Sequence, residues 1–317
     1  MLALGLLAII AAPHLMDDFS VFQLTQAAIY AIAILGLNLL TGFNGQFSLG
    51  HGAFYAVGAY TSAILMTSFG VHYALTIPVA ALAAFVIGFG FGFPALRLEG
   101  LYLALATFAL AVAAPQLLKF SALEDFTGGV QGIVVPRPQA PAWTGLSDDA
   151  WLYYFTVAWM LALFVLAANL VSARPGRAMK AIRDNPIAAS AMGINTPLYK
   201  TLTFGISAAY TGAAGAISAF VVGFVAPDSF TFFLSVALLV GVVVGGIGSV
   251  TGAIFGGLFV LYVPNFAEEF AGVFSKGLSW AAYGTILIAI VYLMPSGLTG
   301  LVRWLVMRAA QSRQPGD

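Results

Sequence analysis

The polar residues able to bind or react gather in two places. In the first, Asn38, Thr41, Asn44, Gln46, Ser48 and His51 fall within fourteen positions and alternate with Gly42, Gly45 and Gly50. Apart from His51 these are uncharged amides and hydroxyls, so the set suits hydrogen bonding rather than acid–base work. Three glycines interrupt an otherwise helical stretch, and a broken helix leaves backbone N–H and C=O groups in need of partners. Inside a membrane such backbone is tolerated where it is buried in protein or faces a wet cavity, and half-helix ends can then meet a solute. On that reading Asn38, Thr41, Gln46 and Ser48 are candidates to line a path. The alternative is a tight turn at the membrane surface whose glycines only let two helices meet.

The second cluster is the basic stretch at 173–200. It runs Arg174-Pro175-Gly176-Arg177-Ala178-Met179-Lys180-Ala181-Ile182-Arg183-Asp184-Asn185-Pro186 and continues from Ile187 to Gly193. Ala178, Met179 and Ile182 share one helical face, with Arg177, Lys180 and Asp184 turned elsewhere. A second short helix follows. Asn185 can cap it, Pro186 sits where a missing N–H is harmless, and Gly193 can supply a left-handed end. Ala188, Ala189 and Ala191 are small enough to permit close backbone approach, which suits docking into a groove of another protein. A basic loop resting on anionic lipid headgroups is the plainer reading.

Other chemistries lack their residues. The chain has no cysteine, so thiolate catalysis, thiolate metal sites and disulfides are excluded. His14, His51 and His72 have no metal-binding spacing. There is no phosphate-binding G-x-x-x-x-G-K-[ST] loop, no paired intramembrane carboxylates and no nucleophile–base constellation, so no cofactor is expected and the chain is not read as an enzyme.

The elements that must position these residues follow from composition. Only 8% of 317 residues are charged and 61% are hydrophobic, with a mean hydropathy of +0.98. A soluble fold cannot hide that much apolar surface. The apolar runs predict about ten membrane-spanning helices, near 1–16, 20–41, 51–69, 74–95, 100–118, 151–172, 201–226, 231–248, 250–267 and 278–295. The first lacks the basic start and small-residue cleavage site of a signal peptide and is read as a retained span. The chain is then one transmembrane domain over 1–317, an all-α polytopic membrane protein. With both termini cytoplasmic, nine basic and three acidic residues fall inside, against three basic and nine acidic outside, the positive-inside pattern. No charged residue falls mid-span. That argues against coupling to an ion gradient through intramembrane charges, so the energy for uphill transport would enter through a partner.

Three ordered motifs carry a resemblance. Gly36-Leu37-Asn38-Leu39-Leu40-Thr41-Gly42-Phe43-Asn44-Gly45-Gln46-Phe47-Ser48-Leu49-Gly50-His51, Thr127-Gly128-Gly129-Val130-Gln131-Gly132 and Gly245-Gly246-Ile247-Gly248-Ser249-Val250-Thr251-Gly252 resemble signatures of the branched-chain amino acid permease family of ABC importers, in its LivM-type form, over about residues 20–300. The stretch with Ala188-Ala189 followed by Gly193 is similar to the coupling loop of such permeases, although the acidic residue expected before Ala188 is missing. The resemblance implies a type II importer fold in a prokaryotic inner membrane. It also implies a second permease subunit, two ATP-binding subunits docked at Arg177, Ala178, Lys180, Ala181, Asp184, Asn185, Pro186, Ala188, Ala189 and Gly193, and a periplasmic or extracellular substrate-binding protein. Membrane lipid surrounds the assembly and no nucleic acid is expected. The same architecture could serve urea or short amides, and a transporter or channel working without ATPases stays open as a different class.

The glycines at 241, 245, 248, 252 and 256 recur mostly at four-residue spacing, which lets helices approach closely in lipid. The interval 119–150 is the longest polar one, stiffened by Pro136, Pro138 and Pro141. It is read as an outer cap or a connector, in the importer reading facing the binding protein.

Overall fold

The computed structural model describes residues 12–98, 100–271, 284–289, 292 and 297–300. Eight of the expected spans have helical counterparts there: α1 (Asp18–Asn38), α2 (His51–Ser68), α3 (Tyr73–Ala95), α4 (Leu101–Leu118), α6 (Asp148–Ser172), α9 (Thr196–Val222), α10 (Phe232–Gly245) and α11 (Gly252–Ala271). The short helices α5 (Glu124–Thr127), α7 (Arg174–Asp184) and α8 (Pro186–Ala191) lie between them. The expected spans at 1–16 and 278–295 fall mostly outside the described residues. Five described helices are long and apolar enough to cross a membrane, and α10 and α11 are shorter apolar ones.

Burial sorts the helices. α1 and α9 run through the middle, with most of their length enclosed, whereas α3, α4 and α6 keep most of theirs exposed. The exposed positions are apolar: Leu75, Leu82 and Val86 on α3, Leu101 and Leu105 on α4, Val165 and Leu166 on α6. That is the surface hydrocarbon requires. α1 opens with Asp17 as its cap, whose carboxylate accepts from the Ser20 hydroxyl and N–H and is thereby held below the usual carboxylate range.

Where helices cross, small residues bring backbones together. A Cβ placed on Gly58 of α2 would lie 1.9 Å from the Gly212 carbonyl oxygen of α9, and one on Gly215 would lie 2.0 Å from that of Tyr55. The same device closes the α10–α11 hairpin, in which Gly245 faces Gly252 and Gly241 faces Gly256. Four of the five spaced glycines therefore pack as expected. Gly248 does other work, described below.

Charge also separates in space. Asp17, Asp18, Lys119, Arg137, Asp148, Asp149 and Asp228 belong to one end of the bundle, where Lys119 pairs with Asp228, Arg137 with Asp149, and the Ser147 hydroxyl donates to Asp18. The 119–150 interval at this end is a folded cap that carries one short strand unseen in the sequence, paired with another after α9. β1 (Ile133–Val134) pairs antiparallel with β2 (Phe224–Val225), so Ile133 lies opposite Val225. Gly128 ends α5 in the left-handed conformation, and Gly132, at φ +76°, passes so near the Val225 carbonyl that a Cβ would lie 2.4 Å from it. The Thr-Gly-Gly-Val-Gln-Gly motif thus makes a turn that only glycine allows. At the opposite end lie Arg97 and the basic stretch.

Candidate functional site

At that basic end, α1 does not stop at Asn38 but widens into a π-turn over Leu39–Phe43. The chain then runs without regular structure to α2, and most of this break is buried, with Gly45 and Phe47 exposed. Backbone N–H groups in and just after the break find hydroxyls on two other helices. Leu49 N–H donates to Thr107 Oγ1 of α4 at 2.9 Å, and Gly52 N–H to Ser235 Oγ of α10 at 2.8 Å. Thr41 Oγ1 donates within the break to the Gln46 carbonyl at 3.1 Å. His51, wholly buried, completes the frame. Ser207 Oγ spends its proton on the Gly36 carbonyl at 2.6 Å, so His51 Nε2 must be the donor to Ser207 Oγ, also 2.6 Å away. Its Nδ1 is then the acceptor for Ser48 Oγ at 3.0 Å, which in turn receives the Gly50 N–H. Every polar atom of this relay has a partner, as low-dielectric surroundings demand.

Asn38 ties the break to the second glycine motif. Its Oδ1 accepts from Gly248 N–H at 2.9 Å and its Nδ2 donates to the Ser249 carbonyl at 2.8 Å, across 210 residues of sequence. Gly42 packs against the same loop: a Cβ there would lie 2.0 Å from Asn38 Oδ1 and 2.5 Å from Gly248 N. Gly248 is therefore the contact point between the two broken segments rather than part of the α10–α11 packing.

The basic stretch folds as its punctuation predicts. Pro175 lies in the first turn of α7, and Asn185 caps α8 by accepting from Ile187 N–H at 3.1 Å and Ala188 N–H at 3.0 Å. Pro186 opens α8 and Gly193 adopts φ +82° beyond it. Ala178, Met179 and Ile182 are buried against the protein's own body, while Arg177 and Asp184 stay exposed and Lys180 and Ala181 are intermediate. Lys180 Nζ sits 5.7 Å above the Phe43 ring. In α8 the two alanines part ways: Ala189 is buried against the chain itself and Ala188 is exposed. The apolar side chains offered outward are Ile187, 80% exposed, and Met192, 83% exposed.

Arg183 joins the stretch to the break. Its Nη1 donates to the Gly42 carbonyl at 2.9 Å, and Nε and Nη2 hold Asp184 Oδ1 at 3.0 and 2.9 Å. Gly45, at φ +75°, lies against the Arg183 side chain. The basic helices, the π-turn and the 246–249 loop are thus one connected unit: Arg183 to Gly42, Gly42 to Asn38 and Gly248. Beside it lies a polar cleft of about 170 Å³ lined by Asn44, Gln46, Arg183, Pro186 and Lys200. Asn44 donates to Gln46 Oε1, and its own buried Oδ1 has no partner among the described residues.

Of the candidate path residues, Asn38, Thr41 and Ser48 therefore spend their side chains on the protein's own frame, and Gln46 reaches a cleft. Sequence reasoning missed Arg183 as the link, Ile187 and Met192 as the outward apolar pair, and Thr107, Ser207 and Ser235 as anchors. The sequence does show Ile187 and Met192 as the large apolar members of a short apolar run beside the basic stretch, without showing which way they face.

The family described as "Branched-chain amino acid transport system / permease component" matches residues 20–294. The high-affinity branched-chain amino acid transport system permease protein LivM of Escherichia coli (strain K12) is 33% identical over 96% of this chain and 75% of its own length. LivM of Salmonella typhimurium is 32% identical over 96% and 76%. The corresponding LivH protein of Salmonella typhimurium is 26% identical over 87% and 92%. No solved structure gives a significant match. With the family's match running from α1 through α11, and the strongest of these relatives being of the LivM type, the chain belongs to the permease family of branched-chain amino acid transport systems.

Proposed function

We propose that this chain is a permease subunit of an ATP-driven importer for branched-chain amino acids. It supplies half of the pore of a type II assembly with about ten helices per subunit, and both termini face the cytoplasm of a prokaryotic cell. A sister permease completes the pore, two ATP-binding subunits dock on 173–200, and a substrate-binding protein meets the folded cap at 119–150. The separation of charge between the two ends supports this orientation.

The observation that carries the reading is the Arg183 bond to the Gly42 carbonyl. An ATPase that moves α7 and α8 then moves a helix break that is itself pinned to the 246–249 loop through Asn38. Two discontinuous segments respond to one push, which is what a pore with two states needs. Docking rests on Ile187, Met192 and Ala188, with Arg177, Lys180, Ala181, Asp184, Asn185, Pro186 and Gly193 shaping the surface and Ala178 and Ala189 supporting it from within. Gln46 is the member of the first cluster best placed to meet a solute. Urea or short amides would use the same architecture, but the named relatives favour amino acids.

Affinity purification of the tagged chain in mild detergent, followed by mass spectrometry, tests the reading. Two phosphate-loop ATPases and a second permease are expected. A solitary chain, under conditions that keep other membrane complexes whole, would overturn it and leave 173–200 a lipid-facing anchor.

A further inference from the structure

Toward the acidic end of the bundle two cavities share part of their lining. The first, about 180 Å³, lies among α1, α2, α9 and the 224–230 segment and is lined by Gln26, Tyr30, Tyr55, Ser218 and Ser229. The second, about 450 Å³, lies among α1, α10 and α11, with Ala237, Val240, Val260 and Pro264 as its walls and Glu268 among its lining. Tyr30, Ser229 and Leu234 line both. The larger cavity falls within the size range of small-molecule sites, most of which are apolar with a few convergent polar groups.

Gln26 and Tyr30 are the unusual members. They stand four residues apart on α1, so they share a face. At about 1.5 Å per residue from Asp18, Gln26 lies roughly 12 Å and Tyr30 roughly 18 Å along the helix, the latter near the middle of a bilayer of about 30 Å. Both are partly buried, and neither makes a hydrogen bond within the described residues. Polar groups left unbonded at that depth are costly unless water or a solute meets them. The break at 39–50 shows the contrast, because there nearly every polar atom is spent on the protein.

We propose that this double cavity is a substrate site for a branched aliphatic amino acid, an inference that rests on the importer reading above. The polar chamber holds the zwitterionic head. The Gln26 amide and the Tyr30, Ser218 and Ser229 hydroxyls each offer both a donor and an acceptor, so they can serve carboxylate and ammonium alike. Among the described residues that line that chamber none is charged, and the Glu268 carboxylate lies in the lining of the other. The aliphatic tail enters the second chamber against Ala237, Val240 and Val260. Tyr30, between the two, sets where head gives way to tail.

The test uses the whole complex with its ATPases, sister permease and binding protein, reconstituted in proteoliposomes, and radiolabelled leucine as the probe. Ala237→Trp fills the tail chamber and is expected to lower leucine uptake at least tenfold with the subunits still copurifying in wild-type ratio. Tyr30→Phe removes one hydroxyl and is expected to lower it severalfold. Val240→Ala widens the tail chamber and is expected to shift competition toward phenylalanine. Wild-type uptake and selectivity in a correctly assembled Ala237→Trp complex would overturn the site. If that variant fails to assemble, Tyr30→Phe and Val240→Ala decide: unchanged uptake and unchanged competition overturn it. A wild-type complex that imports no leucine would instead refute the importer reading, and the site with it.

Discussion

Removing the Asn38 side chain by Asn38→Ala tests whether the two broken segments are joined as described. The substitution orphans the Gly248 N–H and the Ser249 carbonyl, bonded at 2.9 and 2.8 Å. A buried backbone group left without a partner costs about 1–3 kcal/mol. The 248–249 loop is only partly buried, so the lower end applies to each, about 2–3 kcal/mol together. At about 1.4 kcal/mol per tenfold, the loop should leave its docked position roughly 30–150 times more often. Hydrogen exchange read on a peptide spanning 244–252 should speed up by that factor. Asn44→Ala is the control. Its amide donates one bond, to Gln46, and its Oδ1 is already unpartnered, so its loss should cost about 1 kcal/mol or less and leave the 244–252 peptide unchanged. Gly42→Ala, whose methyl would collide with Asn38 Oδ1, should hurt less in the Asn38→Ala background than alone. Unchanged exchange at 244–252 in Asn38→Ala would refute the linkage, and with it the route from Arg183 to the second glycine motif.

Arg183→Ala removes a half-exposed, charge-assisted bond worth about 1 kcal/mol after solvent screening; the complex should still assemble, with ATP hydrolysis continuing while uptake falls about tenfold, and uptake and hydrolysis falling in step would argue against a transmitting role. Ile187→Asp and Met192→Glu change exposed side chains, so the chain should insert and fold normally yet lose its ATPases on copurification; retained ATPases would move the docking surface elsewhere. Gly58→Leu places a side chain where even a Cβ would lie 1.9 Å from a carbonyl oxygen, so the α2–α9 crossing should fail and the chain should be degraded in the membrane, as read by immunoblot. Gly132→Val should break the cap turn and expose the Val135 N–H, which donates to Gly223 at 2.9 Å, to rapid exchange; continued protection there would show that the ribbon tolerates a side chain.

What could be read in advance was local. Asn185, Pro186 and Gly193 act on the residues beside them, so α8 and its limits follow from the sequence alone. Long apolar runs placed eight helices because hydrocarbon leaves the backbone little choice. Relations across the fold were not legible. Ala188 and Ala189 are chemically identical neighbours, and only the seating of α8 between α7 and α9 decides which one faces out. Asn38 looked like a solute ligand because its partners, Gly248 and Ser249, lie more than two hundred residues away. The ribbon of β1 and β2 is two residues a side, too short for any alternation to register.

The span between Asn38 and Gly248 also sets a timetable for biogenesis. α1 enters the membrane early, while the groups that will hold its amide are 210 residues from being made. At roughly 5–20 residues per second, that gap lasts about 10–40 s. Through that interval the Asn38 amide, the opened π-turn and the Gly42 carbonyl must be sheltered by water, by the insertion machinery or by provisional neighbours. The Gly42 carbonyl is released first, once Arg183 arrives; Asn38 waits for the α10–α11 hairpin. Assembly of this end of the bundle is therefore ordered by the chain itself, the basic helices closing on the break before the second glycine loop locks it.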